Sequence, residues 1–386
     1  MNELQNTKST RSITRQTLLS AVSAAAMVLN SGAYDPVNAA GSDVDRPILW
    51  IELGGQFAHI QGQGDAFPVG FLAANPTSPV LQPTTPLQAE RPIPFSFSAD
   101  AKLSLQPSGS DWAFSAAVNY GRSNNFRHVD HQTTGTHPLV FYNGLPSGNI
   151  RGTDDFADTQ VHHRESHAIV DFTAGKDVGL GMFGREATSQ FNLGVRFAQF
   201  ISKSTFDVRA RPDLGTKYLT NPTGNRRVPL LHFHTYHLTG NSARSFHGIG
   251  PSLSWNVSAP VAGSLHDGET AIDWGINAAM LFGRQKAFVQ HTDIAHYHTP
   301  AAGLRPSNPY VLIYQHTGGH VTTRSVVVPN VGAKVGATYR IENFEVSAGY
   351  RADFFFGAVD GGIDARKTEM LGFYGPFAKV SVGFGG

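Results

Sequence analysis

The chain of 386 residues contains no cysteine. That absence excludes a disulfide framework, thiolate metal sites, iron–sulfur clusters and a cysteine nucleophile. Charge is scarce as well: 15% of residues are Asp, Glu, Lys or Arg, against roughly 25% in ordinary soluble domains. Neither sign dominates, since 30 Lys+Arg face 29 Asp+Glu for a net charge of +1. Without a basic excess there is no electrostatic footprint for nucleic acid, and none is expected as a partner. No stretch reaches 18 uninterrupted apolar residues, so an α-helical membrane protein is excluded too. What the chain does have is glycine, at 41 residues, and aromatics at 11%, with Phe alone at 26. Low charge with abundant Gly and Phe fits a β-rich protein. The length admits one large barrel or two to three soluble domains.

The N-terminus narrows that choice. Lys8, Arg11 and Arg15 form a basic start, and the apolar stretch Thr17–Leu29 follows. Small residues come next, with Val37-Asn38-Ala39 as the favoured recognition site and Ser31-Gly32-Ala33 as a second. This is the layout of a secretory signal peptide over residues 1–40, cleaved near 39/40. The apolar stretch of 13 residues is too short to cross ~30 Å of hydrocarbon as a helix.

From Pro47 onward the recurrent signal has a period of two. In Phe95–Gln106 one face carries Phe95, Phe97, Ala99, Ala101, Leu103 and Leu105, and the other carries Ser96, Ser98, Asp100, Lys102, Ser104 and Gln106. Trp112–Tyr120, Ile272–Phe282, Val327–Ile341 and Phe344–Phe356 alternate in the same way. Strict alternation marks strands. The runs exceed the common 5–6 residues of a soluble strand and approach the ~9–11 needed to cross a bilayer at a tilt. Their polar faces carry charges and glycines, and their apolar faces end in aromatics such as Phe95, Trp112, Tyr120, Phe344 and Phe356, as interfacial girdles require. The alternative is a secreted β-sandwich, whose strands should be shorter. The pattern predicts an all-β transmembrane antiparallel barrel over residues 47–386, with about twelve strands and long outer loops.

Twelve segments read as strands: 47–60, 95–106, 111–122, 163–175, 189–201, 230–239, 246–258, 270–282, 286–293, 322–341, 343–357 and 370–384. The outer loops are then 61–94, 123–162, 202–229, 259–269, 294–321 and 358–369. Tight connections at Pro107–Ser110, Asn241–Ser245, Gly283–Gln285 and Glu342 fall at the opposite end, with Lys176–Thr188 unusually long among them. Seven prolines in 61–94 make that segment a loop in any fold. Both chain ends should be periplasmic, with Met370–Phe384 pairing with the first strand to close the barrel.

Histidines cluster in sequence at His162, His163 and His167, at His232, His234 and His237, at His291, His296 and His298, and at His316 and His320. A His-x-His pair puts both rings on one strand face, which metal binding could use. Without HExxH or thiolates, no metal site and no cofactor are expected. There is no GxSxG elbow and no compact Ser/His/Asp grouping, so no catalytic residues are assigned and an enzyme is not expected. Gly179–Gly184 (GLGMFG) lacks the spacing of a nucleotide-binding loop.

What remains is the inward face. The acids Glu52, Asp100, Asp171, Asp273, Glu345 and Asp353 point inward in this register, with the bases Lys102, Arg196, Lys334, Arg340, Arg351 and Lys379. Six of each predict a lumen lining with little preference for either ion sign.

Several later segments resemble the Legionella-type major outer membrane protein family, pore-forming outer-membrane β-barrels. They are Asn192–Phe200 (NLGVRFAQF), Phe246–Val261 (FHGIGPSLSWNVSAPV), Trp274–Lys286 (WGINAAMLFGRQK), Gly349–Phe356 (GYRADFFF) and the closing Gly375–Phe384 (GPFAKVSVGF). The likeness runs from about residue 190 to the end. One departure is that the terminal aromatic Phe384 is followed by Gly385 and Gly386, where such barrels usually end on the aromatic. The resemblance implies a water-filled pore in the outer membrane of a Gram-negative-type bacterium and carries no catalytic residues across. The expected function is passive diffusion of small hydrophilic solutes and ions. Competing classes are a non-conducting structural or adhesive surface barrel and an outer-membrane hydrolase. Expected partners are outer-membrane lipid, the barrel-assembly machinery and the solutes, and a homo-oligomer is compatible with such a barrel.

Overall fold

The structure is a computed structural model that describes residues 49–62, 95–107, 110, 112–138, 149–178, 188–220, 227–264, 266–299 and 310–385. The export signal assigned to residues 1–40 and most of the proline-rich loop lie outside the described residues. Ten strands follow one another: β1 (Leu49–Gln61), β2 (Phe95–Leu105), β3 (Trp112–Pro138), β4 (Asn149–Asp177), β5 (Thr188–Thr220), β6 (Arg227–Ser264), β7 (Gly268–Thr299), β8 (Tyr310–Ile341), β9 (Phe344–Asp360) and β10 (Thr368–Phe384). Each pairs antiparallel with its chain neighbours, and β1 pairs with β10, so the sheet is a closed barrel.

The strand count corrects the sequence reading from twelve to ten. Segments 230–239 and 246–258 are one strand, β6, of 38 residues. Segments 270–282 and 286–293 are likewise one strand, β7, of 32 residues. Asn241–Ser245 and Gly283–Gln285 are not turns, because they pair across an unbroken ladder: Asn241 faces Gln290, and Gly283 faces Gly248. Their polar content reflects strand whose outward face is no longer apolar, while Ser242, Arg244 and Gln285 turn into the buried interior. On β7 the outward apolar series Ile272, Ile276, Met280 and Phe282 gives way to exposed Arg284 and Lys286. The two false turns cancel in parity, so only the 259–269 connection changes ends. It joins β6 to β7 at the end that carries the termini. Much of the presumed outer loops 123–162, 202–229 and 294–321 is strand as well.

The two faces follow the period-two pattern. Leu53, Phe97, Phe114, Leu193, Ile276, Val335, Phe344 and Val380 lie exposed on the outside, while Ser98, Arg196, Ser347 and Ser381 are buried within. Two local features shape the far end. Pro376 has no N–H to donate, and the β1–β10 ladder is interrupted opposite Phe57 and Ala58 without a register change. On β9, the five residues from Phe355 to Val359 lie opposite three on β10, Glu369 to Leu371. This bulge is centred on Gly357, at φ 74°, a left-handed conformation that glycine adopts without a Cβ penalty. It turns Ala358, Val359 and Asp360 into the barrel.

Leu53 and Val380 are register partners on the outside of the closing seam. Opposed antiparallel Cα atoms lie about 4.5–5.5 Å apart, inside the disulfide range. The double variant Leu53→Cys/Val380→Cys should therefore crosslink in folded protein, read as a redox-dependent shift on gel electrophoresis. Leu53→Cys/Val382→Cys, two residues out of register, should not.

Candidate functional site

The interior is built in tiers, and all twelve charged residues of the sequence reading face into it. Nearest the termini a polar cavity of about 300 Å³ is lined by Glu52, Lys102, Asp273, Lys334, Arg340, Glu345 and Lys379. Lys379 donates to Glu52 at 2.9 Å. Arg340 reaches Glu345 at 3.1 Å, Glu269 at 3.4 Å and Asp273 at 3.6 Å. Lys102 and Lys334 share the cavity with them.

Above the cavity, polar side chains bridge non-neighbouring strands. Arg196 on β5 grips Asp171 on β4 through two bonds of 2.7 and 2.9 Å. Its third nitrogen donates to Asn277 on β7 at 2.8 Å and to Asn330 on β8. Asn277 donates to Asp353 at 3.3 Å, and Arg351 lies 3.6 Å from the same carboxylate. Arg351 then crosses the lumen to Gln56 on β1 and, at 3.0 Å, to Asp100 on β2, which also accepts from Asn119 at 2.7 Å. A chain of charges and amides thus runs round the wall from β4 to β3. The amides matter because a charge withdrawn from water needs its remaining bonds filled.

One tier further, the lumen is filled by rings. Phe200 on β5 meets Phe373 on β10, five strands away round the wall, at 5.7 Å between centroids. It stacks with Phe246 at 5.8 Å and meets Phe355 edge-on at 4.6 Å. His167 on β4 packs on Phe373 at 4.1 Å. Ile60, Leu281, Val328 and Leu371 complete a fully buried apolar cluster. This collar, with the neutral partners Gln56, Asn119, Asn277 and Asn330, is what the sequence reading missed. Its one sequence signal is the run Phe354-Phe355-Phe356, which places a large ring on the otherwise polar inward face.

Beyond the collar, residues 361–367 fold over the inner wall. Arg244 donates to the carbonyls of Gly361 and Gly362 at 3.3 and 3.0 Å. His320 lies between the Ile363 carbonyl at 2.8 Å and the Asp360 carboxylate at 3.2 Å. Asp360 also accepts from the backbone N–H groups of Gly362 and Lys367 and from Thr322. Burial alone would raise the Asp360 carboxyl, but those backbone donors, with His320 and Thr322, hold it below its ordinary value. Of the histidine groups, His237 pairs with Asp207, His162 bonds Asn124, and His163 bonds Ser204. His291 and His316 come together across β7 and β8.

The family described as Legionella pneumophila major outer membrane protein precursor matches residues 104–384. The chain belongs to that family. It is an outer-membrane protein, and the match spans β3 to β10 together with the last residues of β2. No curated protein matches it.

Two outcomes follow from the tiers. Arg196→Ala strands Asp171 in the wall and should destabilise the barrel by about 3–5 kcal/mol, the usual cost of removing one partner of a buried pair. Arg196→Met/Asp171→Leu should recover most of that loss, measured by urea unfolding. The second concerns pH. A carboxyl lowered on folding contributes stability that is present above its unfolded value and lost as pH falls through the folded one. A spin label at Ala365→Cys should therefore stay immobile at neutral pH and loosen only below the ordinary carboxylate range. Asp360→Asn should loosen it already at neutral pH.

Proposed function

We propose that this outer-membrane barrel is a narrow, gated pore for small hydrophilic solutes and ions. The carrying observation is the stacking of tiers: a wet, charge-balanced cavity leads to a polar girdle and ends at an aromatic collar. The six acids and six bases named in the sequence analysis divide as three and four in the cavity, three and two in the girdle. So even a balance supports weak selectivity between cations and anions. Ten strands give a bore much nearer to an eight-stranded barrel filled by side chains than to a 16–18-stranded aqueous porin. The collar supports gating by an apolar constriction that excludes water until its rings move apart. The same collar favours the second reading, a non-conducting surface barrel whose interior serves only to hold the wall.

Planar-bilayer recording of refolded protein separates the two. The pore reading expects small, infrequent current steps from the wild type and larger, longer ones from Phe355→Ala, checked for folding by its compact, heat-modifiable gel mobility. Silence from both proteins would establish the surface-barrel reading instead.

A further inference from the structure

We propose that the inner wall of the barrel, beyond the collar, carries a binding site for one divalent transition-metal ion of the zinc class, built from His291 and Asp293 on β7 and His316 on β8. The register makes it: Asp293 and His316 are Cα partners, while His291 faces Gly318 two pairs further along the ladder. The ligating atoms of the three residues all lie within 4.8 Å of one another. The Asp293 carboxylate sits between the two rings, with Oδ1 at 3.3 Å from His291 Nδ1 and Oδ2 at 3.6 Å from His316 Nδ1. Zinc holds nitrogen and oxygen at roughly 2.0–2.2 Å in a tetrahedron, which sets its ligands about 3.3–3.6 Å apart. Two of the nitrogen–oxygen spacings, each to its own carboxylate oxygen, already fall in that range.

Two further features point to a ligand rather than a simple ion pair. His291 Nε2–H donates to Asp364 Oδ1 at 2.6 Å. Without an ion the ring stands between two carboxylates; a bound metal would take the place of the Nδ1 proton that faces Asp293, while Nε2–H stays on Asp364. A carboxylate orienting the far nitrogen of a metal-bound histidine is the usual outer partner of such sites. Gly318 is also required, because a Cβ there would fall 2.6 Å from both His291 Nε2 and Asp364 Oδ1. The Asp293 and His291 side chains are only 5 and 6% exposed, whereas His316 is 52% exposed and gives an entry path. Three protein ligands leave a fourth position for water. On β7 the site lies past the outward charges Arg284 and Lys286. Through Asp364 the ion would tie residues 361–367 to the tall β7–β8 wall.

The test uses full-length refolded protein without a polyhistidine tag, dialysed against chelator and titrated with zinc chloride by calorimetry. One equivalent should bind to the wild type and be lost in His316→Ala and in Asp293→Asn. Asp364→Ala, which removes only the orienting partner, should weaken binding about 10–100-fold. His128→Ala and His237→Ala, at other His–Asp pairs, should bind as the wild type does. Cobalt(II) should give an intense visible band of tetrahedral type that disappears in His316→Ala. His316 is half-exposed, so its variant should fold, which circular dichroism verifies. Absence of zinc binding by folded wild type, or binding unchanged in both His316→Ala and Asp293→Asn, overturns the proposal.

Discussion

A strand placed in hydrocarbon exposes N–H and C=O groups that no lipid can satisfy, at a cost of several kcal/mol each. The pairing of β1 with β10 is therefore the contact on which the remainder depends. It unites Leu49 with Phe384 and Gln61 with Gly372, leaving no open edge in the described sheet. Closure also fixes the bore. With ten strands there is too little room for an unobstructed aqueous channel, so inward side chains must meet each other across the lumen. The contacts of Phe200 with Phe373 and of Arg351 with Asp100 are consequences of that narrowness.

Narrowness in turn governs which inward residues are tolerable. A charge that loses water is stable only when paired and when its spare donors and acceptors are used. Arg196 meets both conditions through Asp171, Asn277 and Asn330, and Arg351 through Asp100, Asp353 and Gln56. Where the cavity widens toward the termini, charges keep more solvent. There Arg340 spreads among three acids instead of fitting a single partner. Where the lumen is filled, the chain uses rings, which fill space without a hydrogen-bond requirement.

Alternation made the faces legible, because a strand with one lipid face must repeat every two residues. Lys379 could be placed inward and Val380 outward from that pattern alone, whereas the register that sets Val380 against Leu53 could not be read from it. Strand ends were not legible for the complementary reason. Once β6 rises past Ile249 its outward face turns polar, and Asn241 to Ser245 resembles a turn although it is ladder. The collar was hidden differently. Phe355 was on the correct face, but what it meets is set by β5 and β10, far off in sequence. His291 and His316 stand 25 residues apart, and only the β7–β8 register unites them.

The wall is uneven, and the unevenness gives the barrel its mouth. Strands β3 to β8 run 27 to 38 residues, whereas β1, β2, β9 and β10 run 11 to 17. A short wall facing a tall one leaves a side opening, and the bulge at Gly357 directs the chain across it. Asp360 then collects its donors, and Arg244, His320 and His291 hold the segment against the tall side. Phe355 lies two residues before that bulge, and Phe373 lies two after Leu371, the residue that ends the register shift on β10. Two of the collar's four phenylalanines thus belong to the short wall, next to the β9–β10 register shift. An unbroken ladder resists displacement along its whole length, whereas a bulge concentrates deformation where pairing is already interrupted. The β9–β10 side is accordingly where the rings that fill the lumen are least constrained by their own sheet.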